Sequence, residues 1–167
     1  MQNINAKIFS LRSLILVSFL IRIVAVYFTR DLEIANEWNI LVENLLNHKS
    51  YSYYNFNNQL IPSVYMPPLY AFFIYFLKII FPLNSFNFLY LLIFFQIIFS
   101  TYAVYLFFKI NTNFFSAKLS LINSGIFSLI PLNLYACGQI SSITLQIFLT
   151  LLFINSLILV TKPFENK

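Results

Sequence analysis

The sequence predicts an all-α, polytopic helical membrane protein, with about five transmembrane helices and an interfacial amphipathic helix in its first external loop. Three observations carry this. Of the 167 residues, 60% are hydrophobic and only 9% charged, against roughly 25% charged in soluble domains. The apolar residues fall in runs of membrane-spanning length. Four of the five acidic residues (Asp31, Glu33, Glu37 and Glu43) fall in one polar interval between such runs, together with the sole Trp, the sole His and three of the six prolines. The ten basic residues are scattered, which excludes a nucleic-acid footprint and fits charges that flank and orient helices. With two glycines in the chain, a nucleotide-cradling loop is excluded as well.

The first predicted crossing is 8–28, with Lys7 just before it and Arg12 in its first turns. Its length and the lack of a small-x-small cleavage site favour an uncleaved helix over a signal peptide. Arg22 lies one to two turns below its outer end. It either snorkels to the interface or pairs with a carboxylate of the next loop.

Residues 30–67 form the predicted extracytoplasmic loop. Ile34, Trp38, Leu41, Val42 and Leu45 recur at helical spacing, while Glu33, Glu37 and Asn44 share another face. The pattern predicts a helix lying on the membrane, Trp38 on its apolar side and Asp31 capping its start. From His48 to Leu60 the chain is rich in Asn, Tyr and Ser and reads as a polar loop. His48 is read as a loop residue and not as a base. Pro67 and Pro68 suit the first turn of the next helix.

Further crossings are predicted over 68–83, 86–108, 119–136 and 143–160, with Cys137 as a small packing residue. Lys7, Arg12 and the acid-rich loop place the amino terminus inside. Alternation through five crossings then strands Lys109, Lys118 and the carboxy-terminal lysines outside, a conflict that one non-spanning segment would remove.

With these parts in order, the chain resembles the amino-terminal part of membrane glycosyltransferases of the GT-C fold, the class of protein O-mannosyltransferases and aminoarabinose transferases. The residues that carry the resemblance are Arg22 in the first helix, the acidic residues that follow it, and an aromatic amphipathic helix ending in Asn44, Leu45 and Leu46. Tyr65, Met66, Pro67, Pro68, Leu69 and Tyr70 then match the start of the family's second helix, and Pro131, Tyr135, Gly138, Ser141 and Ser142 a region between two later ones.

The resemblance implies an enzyme of the bacterial inner (plasma) membrane, transferring a sugar from a polyprenyl-phosphate donor to a lipid, glycan or protein acceptor on the extracytoplasmic side. It implies catalytic carboxylates among Asp31, Glu33 and Glu37, with Arg22, Trp38, Tyr65 and Tyr70 on the substrate side. Ile34 stands where the family has Asp, which leaves those three acids as the nearest carboxylates. A divalent cation bridging carboxylate and phosphate is compatible with such ligands. The alternative reading is a non-catalytic polytopic membrane protein or truncated accessory subunit. A transporter is disfavoured, since apart from Arg22 and Lys78 the apolar runs lack charge.

Overall fold

The computed structural model describes residues 2–31, 37–54 and 58–165. Seven helices and one small hairpin occur among them: α1 (Gln2–Thr29), α2 (Glu37–His48), β1 (Ser52–Tyr54), β2 (Leu60–Pro62), α3 (Pro68–Ile80), α4 (Ser85–Asn111), α5 (Ala117–Ser128), α6 (Pro131–Gly138) and α7 (Ile143–Glu165). They divide into two compact units, one of residues 1–30 and 93–167 and one of residues 31–92.

Three of these helices are long and apolar enough to cross a membrane: Ser10–Thr29 within α1, Ser85–Asn111, and Ile143–Thr161 within α7. The pair α5 and α6 adds a fourth if taken as one span bent by 51°. The break has a plain cause. Pro131 offers no N–H and crowds the carbonyl one turn back, and the residue before it, Ile130, is driven to φ −57, ψ 119. The Phe127 carbonyl near the break accepts from the Ile130 N–H and from Asn133 Nδ2, each at 3.4 Å, so the lost helical bond does not leave it bare.

Within the first unit, α5 and α6 run parallel to α1 along its length. Gly125 lies opposite Leu14, Ser128 Oγ donates to Ser18 Oγ at 3.1 Å, and Gly138 meets Thr29 and Arg30. Ser120, Ser124 and Ser128 form a buried small-residue stripe on α5, of the kind that lets apolar helices approach closely. The spacing of four is visible in the sequence itself. The broken pair follows α1 from near Leu14 to its last turn.

The described part of α4 in this unit runs the other way. Phe107 stacks on Phe127 at 4.4 Å and Asn111 accepts from Asn123 at 3.2 Å, so α4 and α5 form an antiparallel pair. Arg22 Nε donates to Ser100 Oγ at 2.7 Å. Seven residues separate Arg22 from Thr29, and Ser100 from Ile93, a rise of about 10 Å each. The chain therefore leaves the unit after Arg30 and returns to it at Ile93 at the same end. From α7, Phe148 stacks on Phe99 of α4 at 5.0 Å.

The second unit differs from expectation in two ways. The predicted crossing over 68–83 is α3, of 13 residues, which rises about 20 Å where a hydrocarbon core needs ~30 Å. Pro68 at its first turn and the turn around Pro82 confine it. The loop from His48 to Leu60, expected to be irregular, contains the antiparallel hairpin, with Ser52 opposite Pro62 and Tyr54 opposite Leu60. Proline is tolerated there because β2 is an edge strand.

Candidate functional site

The amphipathic helix α2 is described from Glu37 onward; Glu33, Ile34 and the start predicted to be capped by Asp31 lie outside the described residues. Trp38, Leu41, Val42 and Leu45 are buried. They pack toward α3, whose own buried face is Tyr70, Ala71, Ile74 and Leu77. Trp38 and Tyr70 meet edge to face at 4.9 Å, a favoured geometry for aromatic rings. The apolar stripe expected to rest on lipid is thus covered by protein, because α3 offers a complementary face.

The far end of α2 is tied to the hairpin. Asn44, 3% exposed, donates from Nδ2 to the Ser52 carbonyl at 2.7 Å. Lys49 closes the helix at φ 52, and the Ser50 N–H reaches back to the Asn44 carbonyl at 3.4 Å. A left-handed residue just past a helix end is a position that usually recruits glycine. His48 Nε2 and Tyr54 OH lie 3.0 Å apart, so the histidine ties helix to hairpin. Tyr51 OH donates to the Met66 carbonyl at 2.8 Å and fixes the Pro67–Pro68 turn against the hairpin.

On the polar side of α2, Asn39 Nδ2 donates to Glu43 Oε1 at 2.9 Å. Lys78 Nζ, from the last turn of α3, donates to Asn39 Oδ1 at 3.3 Å. One amide therefore links a carboxylate and an ammonium. Lys78 also lies 5.7 Å from the centre of the Phe88 ring, within cation–π range. Burial lowers its pKa from the ordinary value, and the Glu43 charge opposes that shift. These side chains border a cavity of about 470 Å³, closed by Leu46, Phe81, Leu83, Ser85, Phe88 and Leu89.

A second cavity of about 220 Å³ lies on the hairpin side of the helix, among Ile40, Glu43, Asn44, Asn47, Tyr53 and Tyr54. Burial raises the pKa of Tyr53, and the charge of Glu37 adds to the rise. The same cause, burial, raises Tyr51. Both phenols stay protonated across the physiological range.

The predicted site residues scatter. Asp31 and Glu37 are exposed, and neither lines the two cavities. Trp38 and Tyr70 are buried against one another. Tyr65 stands 83% exposed ahead of the Pro67–Pro68 turn. Arg22 does not snorkel, and among the described residues it pairs with no carboxylate. It is fully buried in the first unit, bonded to Ser100 Oγ, the Ser18 carbonyl and Ser18 Oγ, with Nη2 unpartnered among the described residues. Ser18, one turn back on its own helix, and Ser100 of α4 give it acceptors at its own depth, so its stem need not reach the interface.

Asn39, Glu43 and Lys78 border a cavity and are not among the site residues expected from the sequence. Glu43 and Asn39 sit four apart on one helix, a readable signal; Lys78 comes from another helix, and nothing local announces it. Among the described residues no group of three His, Cys, Asp or Glu side chains is arranged to hold a metal ion. Comparison with family models, curated proteins and solved structures finds no match to the chain.

Proposed function

We propose that the chain belongs to a membrane glycosyltransferase that moves a sugar from a polyprenyl-phosphate donor on the extracytoplasmic side, with Glu43 as its base. The sequence resemblance motivates the reaction class. The observation that carries the site is that Glu43 lines two cavities in the unit formed by residues 31–92. A base must come within hydrogen-bond reach of the hydroxyl it activates, and Asn39 holds this carboxylate in one orientation. Lys78 supplies positive charge to a phosphate in the same cavity. Membranes containing the chain are expected to transfer label from a polyprenyl-phosphate sugar to endogenous acceptors. Transfer no greater than in membranes lacking it, at matched expression, would favour the non-catalytic alternative.

The reading includes four crossings, α1, α4, the broken pair α5 and α6, and α7, with residues 31–84 outside. Two arguments support it. A chain that leaves and rejoins the first unit at one end makes an even number of crossings between, which α3 alone cannot supply. The charges then agree: Lys7, Arg12, Lys109, Lys118, Lys162 and Lys167 fall inside, with Glu165 as the one acid there.

Single cysteines at Gln59, Pro82 and Thr112 test the topology, the buried Cys137 being silent. An impermeant thiol reagent on intact cells is expected to label positions 59 and 82 and to spare 112. Five crossings would reverse the last two, and that result would overturn the proposal.

A further inference from the structure

The cavity between α2 and α3 holds opposite charges that Asn39 links through both ends of its amide, Lys78 on the oxygen and Glu43 on the nitrogen. Such a cavity presents an anion with a cation and a cation with an anion, at separate points. A ligand with the mirrored pair of charges satisfies both, whereas a purely anionic ligand engages only Lys78 and a purely cationic one only Glu43. The volume, about 470 Å³, lies within the usual range for small-molecule sites of ~300–1,000 Å³. The apolar rim, Leu46, Phe81, Leu83 and Leu89, suits a ligand whose polar end continues into hydrocarbon. Phe88 beneath the Lys78 ammonium keeps water from one side of it, which strengthens a charge-assisted bond there.

We infer that this cavity binds a zwitterionic head group, a phosphate diester carrying a primary ammonium, presented by a membrane phospholipid. The phosphate oxygens accept from Lys78 and from the Ser85 hydroxyl, and the ammonium donates to Glu43. The inference goes beyond the transferase reading and does not require it, since binding is measured without transfer.

The full chain in detergent, supplied with equal amounts of phosphatidylethanolamine, phosphatidylcholine and phosphatidylglycerol of matched acyl chains, is assayed by native mass spectrometry for retained lipid. Retention of phosphatidylethanolamine is expected to exceed that of each competitor about tenfold, since one lacks the donor hydrogens and the other the positive charge. Glu43→Gln should erase the preference over phosphatidylglycerol, and Lys78→Gln should lower retention of all three. Lys78→Arg, which keeps the charge, should restore it and answers the case in which Lys78→Gln fails to fold.

Equal retention of the three lipids by the unaltered chain, or an unchanged profile in Glu43→Gln, would overturn the inference. So would displacement of the lipid by soluble phosphoethanolamine at millimolar concentration, which would make a free solute the ligand. Failure of that solute to compete supports the membrane source.

Discussion

Glu43→Gln is expected to lower sugar transfer by about 10²–10⁴-fold, the range attributed to a positioned general base, while leaving membrane insertion and helical content unchanged. The substitution keeps the shape of the side chain and its contact with the Asn39 amide, so the packing of α2 on α3 has no reason to change. What it removes is the acceptor that takes the proton from an incoming hydroxyl in either cavity. Glu37→Gln is the matched control: Glu37 is exposed in the first turn of α2, outside both cavities, and its loss should alter transfer less than about threefold, well short of a base's contribution. A series in which Glu37, Glu43 and Asp31 give equal, small effects would leave the acids as the wet face of a helix and would remove the base from the proposal.

Gly138→Ala should destabilise the first unit by about 1–3 kcal/mol, the ordinary cost of overpacking. A Cβ at this position would lie 2.7 Å from Thr29 Oγ1 and 3.2 Å from both Cα and N of Arg30. The threonine hydroxyl can rotate away; the Arg30 backbone cannot, because its N–H bonds the Val26 carbonyl at 2.9 Å at the end of α1. The glycine is there for close approach, since no glycine in the chain has a positive φ.

Gly125→Ala, by contrast, meets only Leu14 Cδ1 at 4.0 Å and should stabilise α5 by about 0.5–1 kcal/mol through lower backbone entropy. Thermal melting in one detergent should therefore shift in opposite directions for the two variants. Thr29→Ala combined with Gly138→Ala should recover only part of the loss. Equal shifts for the two glycines would mean that α1 and α6 do not meet this closely.

Much of the fold was legible because it is local. A window of about twenty apolar residues identifies α1, α4 and α7 without any partner, and Pro68 announces the start of α3. The helical spacing of Trp38, Leu41, Val42 and Leu45 announces α2 in the same way. The polar interval after α1 was likewise visible, and with it the part of the chain where titratable groups gather.

What the sequence by itself determined is the presence of helices long and apolar enough to cross a membrane, the helix content and the acid-rich interval, since hydropathy and periodicity are properties of neighbouring residues. Only the tertiary structure decided the rest. That Arg22 is served by Ser18 and Ser100 instead of a loop carboxylate depends on which helix lies beside it. That Glu43, and not Glu37, lines the cavities depends on where α3 sets Lys78 against α2. The return of the chain at Ile93 to the end it left at Arg30 is set by the direction in which α4 packs. Each is a relation between segments distant in sequence, and hydrophobicity fixes whether such segments are buried without fixing which of them meet, or in which direction.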